Sequence, residues 1–187
     1  MRDCASSPPI RYFVLDPVAP ARDVSQSTGE PLQIASVRLP SALDRREIVR
    51  EDTPNKLTVS NQDRWGAPLA DMTQRVLSQD LTLRLAPGRV VLPGQPAPAG
   101  TSAISVEIVE FGADASGSMV LDGSWSIVPG GSDTAVATQR FQLRQPAVHG
   151  DYAEQAHVMS ILLGQLADEI ATQVTQGSGH PSAWLGN

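Results

Sequence analysis

Apolar and polar positions alternate most regularly between residues 103 and 143. Ile104, Val106 and Ile108 fall on one side, with Ser105 and Glu107 on the other. After the turn-forming run Gly112–Gly117, Met119, Leu121, Gly123, Trp125 and Ile127 alternate with Ser118, Asp122, Ser124 and Ser126. A second turn, Pro129-Gly130-Gly131-Ser132-Asp133, leads to Ala135, Ala137, Gln139, Phe141 and Leu143 set against Thr138, Arg140, Gln142 and Arg144. A period of two is the signature of half-buried strands. The three runs predict an antiparallel meander with one face on a core and one polar face.

The first half is more broken. Arg11–Leu15 is a short apolar run stopped by Asp16-Pro17, and the Pro- and Gly-bearing stretch 16–31 reads as a loop. Leu32, Ile34, Val37 and Leu39 mark a strand with a slip in its alternation, ended by Pro40, and 41–46 reads as a turn. Ile48–Arg50 and Leu57–Ser60 bracket Thr53-Pro54-Asn55, a predicted hairpin. Arg89–Pro93 reads as a short strand, and residues 93–102 as a loop.

Two stretches have a helical period instead. Leu69, Met72, Val76 and Leu83, widened by Ala70, Leu77 and Leu81, give residues 68–85 one apolar face. Asp63–Leu69 is read as its opening, with Pro68 in the first turn, where its missing N–H is not needed. The second helix spans 151–176, capped by Asp151, with Tyr152, Ala156, Met159, Leu163, Leu166, Ile170 and Val174 on one stripe. Burying its large aliphatic side chains contributes about 1.5–3 kcal/mol each, so it is predicted to dock tightly on the sheet. Two amphipathic helices with five to seven strands predict an α/β fold with a mixed sheet. Residues 1–10 are expected to be a flexible leader, 11–176 a single domain and 177–187 a mobile tail.

Charge narrows the partners. The formal net charge of -6 and pI near 4.9 argue against a nucleic-acid ligand and a polybasic membrane-binding face. No run approaches the ~18 consecutive apolar residues of a spanning helix. Membrane attachment would therefore need a lipid or a partner. The single cysteine opens the run Cys4-Ala5-Ser6-Ser7-Pro8-Pro9. One thiol forms no internal disulfide, and a cysteine followed by small polar residues and prolines is how a mature bacterial lipoprotein begins. The preceding Met1-Arg2-Asp3 carries none of the apolar region of a secretory signal. Local pattern alone leaves two readings, a lipidated anchor or a free thiol.

Catalytic chemistry finds little support. His149, His157 and His180 have no metal-ligand spacing, and there is no nucleophile elbow, phosphate loop or dinucleotide fingerprint. Gly112–Gly117 carries one carboxylate, Asp114, which suits a hairpin turn better than a cation loop. Glu107 and Glu110, three apart on one strand, are expected on opposite faces, and Asp168-Glu169 do not point together on a helix. The expectation is a non-enzyme with no catalytic residue, no metal and no cofactor. Trp125 falls on the core face. Arg64-Trp65 has two readings: a cover for the helix start, or an exposed anchor for a protein partner, since Trp and Arg are favoured at interface centres.

The order of motifs adds a resemblance. The chain gives Cys4-Ala-Ser-Ser-Pro-Pro, Arg11-Tyr-Phe-Val-Leu-Asp-Pro, Ile34-Ala-Ser-Val-Arg-Leu-Pro40 and Arg64-Trp65-Gly66-Ala-Pro68-Leu69. It continues with Ile104-Ser-Val-Glu-Ile108, Leu121-Asp-Gly-Ser-Trp125 and Leu162-Leu-Gly-Gln-Leu-Ala-Asp-Glu-Ile-Ala171. From about Cys4 to Ala171 it resembles the PqiC/YmbA family, auxiliary lipoproteins of ABC-type and MCE transport systems. The resemblance implies a three-layer α/β/α sandwich with a mixed sheet, similar to the N-terminal domain of TolB. It implies a periplasm-facing lipoprotein held at the outer membrane through Cys4, with no enzymatic activity. Ala5, following the cysteine, fits outer-membrane sorting. The implied partners are an MCE-domain protein and inner-membrane transport components, with lipids moved between the two membranes and self-association of the subunit. Two other readings stand beside it, a TolB-like protein-binding module for envelope integrity and a lipid carrier with its own apolar cavity.

Overall fold

The computed structural model describes residues 9–20, 29–146 and 152–177. The expected cap Asp151, His149, His180, most of the leader with Cys4 and the tail from 178 lie outside the described residues.

The chain is mixed α/β. Its strands are β1 (Arg11–Phe13), β2 (Leu32–Arg38), β3 (Glu47–Thr53), β4 (Lys56–Trp65), β5 (Val90–Val91), β6 (Ser102–Ala113), β7 (Ser118–Val128) and β8 (Ala137–Pro146). Its helices are α1 (Leu69–Thr82) and α2 (Tyr152–Gly177). The strands divide between two mixed sheets, in the orders β1-β4-β3 and β5-β2-β6-β7-β8, where the alternation alone suggested one. The meander is the expected β6-β7-β8, antiparallel throughout, while β2 joins it parallel to β6. Strand directions and sheet membership are long-range facts that a period of two does not encode.

The slip in the 32–39 pattern is a β-bulge. Ile34 lies opposite Ile104 and Ser36 opposite Ser105, so Ala35 is the extra residue and Val37 returns to the core face opposite Val106. A second irregularity falls in β6 between Ile108, opposite Gly123, and Glu110, opposite Asp122. It throws Val109 into solvent and restores Phe111 to the core. It also corrects the expectation for the two glutamates: the inserted residue resets the alternation, so Glu107 and Glu110 share the polar face, beside Ser124 and Asp122.

Both helices lie on the inner face of the larger sheet and touch each other. Ile104, Val106, Ile108, Leu121, Trp125 and Phe141 meet Met72, Val76, Leu77 and Leu81 of α1 and Met159, Leu163, Leu166 and Ile170 of α2 in one core. α2 is buried on more than the predicted stripe, with Val158 and Ser160 enclosed as well, because it packs against α1 and the sheet at once. Within α1, Ser78 and Thr82 donate hydroxyl hydrogens to carbonyls one turn back, which satisfies these polar groups inside the helix.

Gly123 sits where β7 crosses this core. A Cβ there would collide with the Glu107 carbonyl oxygen and stand 2.8 Å from Cζ of Phe141. Gly123→Ala is therefore expected to spread the β6–β7 ladder and cost about 3 kcal/mol, or roughly 10 °C in Tm. Thermal unfolding followed by circular dichroism checks it, and an unchanged Tm would contradict this packing.

Candidate functional site

The smaller sheet forms one end of the core and carries both residues singled out as an interface. The expected helix opening at Asp63–Trp65 is instead the end of β4, and α1 begins only at Leu69, with Pro68 as its extended N-cap. Asp63–Trp65 continue the strand because they pair with β1 and β3: Asp63 opposite Arg11, Arg64 opposite Tyr12 and Glu47, Trp65 opposite Phe13. A lone strand end before a proline-started helix carries no local signal of such pairing.

This placement corrects the anchor reading of Trp65. Its side chain points inward with that of Phe13 and is 4% exposed. It lines a cavity of about 10 Å³ with Ile48, Leu69, Phe111, Met119 and Met159. The ring is a core plug joining the small sheet to α1, β6 and α2, and the cavity has no room for an acyl chain. Arg64 points to the opposite face and is half-buried, with its Nε enclosed and without a hydrogen-bond partner among the described residues. Its charge helps hold the Glu47 carboxyl below its usual range, after the larger effects of a backbone hydrogen bond and Arg45.

What stands exposed there is β1. Among the described residues it pairs on one side, with β4. Its inward side is fastened: Arg11 Nε donates to Asp63 Oδ1 at 2.7 Å, Ser60 Oγ donates to Asp63 Oδ2 at 2.7 Å, and the Phe13 ring lies 6.2 Å from that of Tyr152. Its outward side presents Ile10, Tyr12 and Val14, all exposed. These three were not singled out from the sequence. In a run where every residue from Tyr12 to Leu15 is apolar, the alternation does not say which side faces water.

Beside β1 runs a groove of about 590 Å³. It lies between residues 12–19 and the first turns of α2, lined by Tyr12, Val14, Val18, Ala153, Ala156 and His157 among others. Its far wall is held by buried polar groups. The Asp16 N–H donates to Ser160 Oγ at 3.1 Å, and the Val18 N–H to Asp80 Oδ1 at 2.7 Å. Arg84 Nη1 donates to the Val18 carbonyl at 3.0 Å, and Arg84 Nε to Asp168 Oδ1 at 2.6 Å. Gly164 of α2 makes room for this clamp, since a Cβ there would stand 3.2 Å from Val18 and 3.3 Å from Arg84 Nη2. Burial lifts the Asp80 carboxyl to about 6, against the opposing pull of the Val18 N–H and Arg84.

Among the described residues no group of three or more His, Cys, Asp or Glu side chains could hold a metal ion. The Asp114 carboxylate accepts from Ser116 N–H, Ser116 Oγ, Ser118 N–H and Arg144 Nη1, which is the hairpin turn the sequence suggested. His157 is exposed on α2, and no helix of the described residues is long and apolar enough to cross a membrane.

The comparisons agree with this architecture. A crystal structure of an uncharacterized protein superposes with a TM-score of 0.73 at 19% identity, covering 89% of this chain and 99% of that one. A crystal structure of a Xanthomonas campestris protein of the family model DUF330 gives a TM-score of 0.73 at 17% identity, covering 90% and 98%. At such identities the likeness is one of fold. None of the curated proteins compared with the chain matches it. The family model described as the ABC-type transport auxiliary lipoprotein component matches residues 13–171, from β1 to the last turns of α2, and the chain belongs to that family.

Proposed function

We propose that the protein is a non-catalytic, lipid-anchored subunit of an ABC/MCE-type system that moves lipids between the inner and outer membranes, standing on the periplasmic side of the outer membrane. The observation that carries the reading is the family match over 13–171, with Cys4 and its Ser- and Pro-rich run directly ahead of it. Acyl chains on Cys4 hold the domain, since each buried methylene contributes about 0.8 kcal/mol and two or more chains anchor stably. The partners are an MCE-domain protein and the inner-membrane components, and the subunit self-associates. Ala5 after the cysteine supports outer-membrane sorting.

The protein expressed in a Gram-negative host behind a lipoprotein signal is expected in the membrane fraction, and Cys4→Ala in the soluble periplasm. Identical soluble behaviour of both would remove the anchor. Co-purification of an MCE-domain protein with the wild type is the second arm. Its absence, with anchoring intact, would favour an envelope-binding module without lipid transport.

A further inference from the structure

Ile10, Tyr12 and Val14 are 44%, 59% and 50% exposed, at alternate positions along β1 and the residue flanking it on either side. Other exposed apolar side chains are more scattered: Leu57 and the less exposed Val59 on β4, Leu83 just past α1 and Val109 on β6. Tyr12 lies opposite Arg64 in register, so a half-buried arginine stands on the neighbouring strand beside it. This combination suits a phospholipid surface: apolar side chains, a tyrosine whose hydroxyl sits at headgroup level, and an arginine able to meet a phosphate.

Chain length decides what this face meets. Cys4 and Ile10 are six Cα–Cα steps apart, a stretch that spans at most about 22 Å. A compact body of this size has a radius of gyration of about 15 Å and is about 40 Å across. A cysteine acylated in the bilayer therefore holds β1 within about half a body diameter of the headgroups, and the far side of the domain has no such access. We propose that the Ile10–Tyr12–Val14 face is a membrane-contact surface, on which the tethered domain rests against the phospholipid interface and by which its orientation is fixed. Three partly exposed side chains make a weak membrane ligand in solution; the anchor raises their effective concentration at the surface and so makes the contact persist. The inference rests on Cys4 being the attachment point.

The test supplies that attachment chemically, so it does not depend on lipidation in the cell. Cys4, the single thiol of the chain, is coupled to a maleimide-bearing lipid in phosphatidylcholine vesicles whose acyl chains are brominated near the headgroup. Tyr12→Trp carries the reporter, and Val109→Trp, at a site 65% exposed on β6, is the control; parent emission is subtracted from both. The added fluorescence at position 12 is expected to shift to the blue and be quenched on vesicles, while that at 109 stays solvent-like. Equal, solvent-like emission at both positions overturns the proposal. So does a blue shift at position 12 that appears without vesicles and grows with protein concentration, since a second copy would then cover the face. Loss of membrane fractionation by the Cys4→Ala protein in cells tests the anchor separately.

Discussion

Leu163→Asp is expected to leave no cooperatively folded protein. Leu163 is fully enclosed in α2, in the core shared by α1 and both sheets. Truncating such a leucine costs about 2–5 kcal/mol through lost burial and the cavity left behind. A carboxylate with no partner in that space adds several kcal/mol more unless it protonates. The sum rivals the whole stability of a domain, about 5–15 kcal/mol. Met159→Asp, one turn earlier, is expected to behave alike. Urea unfolding and far-ultraviolet circular dichroism check this, with exposed Thr172→Lys on the same helix as a control that keeps a sharp transition. A soluble Leu163→Asp protein with an ordinary transition would mean that α2 is not packed on the sheet.

The second large effect belongs to the clamp at Asp80 and Arg84. Both side chains are buried, 3.5 Å apart, and Asp80 Oδ2 is enclosed without a hydrogen-bond partner among the described residues. Arg84→Met removes the cation and the bonds to Val18 and Asp168 together. It is expected to cost about 3–5 kcal/mol, the usual consequence of stripping one partner from a buried pair. The pH dependence follows from the raised carboxyl. Folding lifts Asp80 from 3.8 to about 6, so between these values the folded state binds a proton that the unfolded state has lost. Its contribution favours folding fully below pH 3.8 and is lost as pH rises through 6. That is about 3 kcal/mol over the two-unit window.

Asp80→Asn keeps an acceptor for the Val18 N–H and cannot ionise. Its stability relative to wild type is therefore expected to be greatest at pH 7 and to fall as pH is lowered toward 4. Denaturant midpoints measured for both proteins at each pH isolate this residue, because Glu110 and Glu169, also raised by burial, titrate in both. A constant difference across pH would show that Asp80 is charged throughout.

Legibility tracked how local each signal was. The meander 103–143 was readable because each outward Ser, Glu or Arg alternates with an inward aliphatic, and β7 has the predicted bounds 118–128. Both helices announced themselves by their stripes. The bulge at Ala35 was visible as a slip in alternation. The one at Val109 was not, since Val109-Glu110-Phe111 offers an apolar residue on either register, and only pairing with Gly123 and Asp122 picks one.

The candidate surface was less legible than the fold. Arg64-Trp65 drew attention by residue type, yet pairing with β1 turns Trp65 into the core and leaves the exposed apolar face to Tyr12, which lies opposite Arg64. Asp80 and Arg84 read only as polar residues at the end of an amphipathic helix. Their role depends on Val18 and Asp168, which lie 62 and 84 residues away along the chain.

By itself the sequence determined the α/β class, the meander and the two helices with most of their core faces and, through the order of its motifs, the family. All of these are set by residue type at fixed spacing, which periodicity and turn chemistry write directly into the chain. The tertiary structure alone decided how the strands split into two sheets, that Glu107 and Glu110 share a face, that Trp65 is a core plug and that Ile10, Tyr12 and Val14 face outward. Those depend on which distant backbone each strand pairs with. A one-residue change of register reverses every side chain after it, and no local pattern fixes that choice.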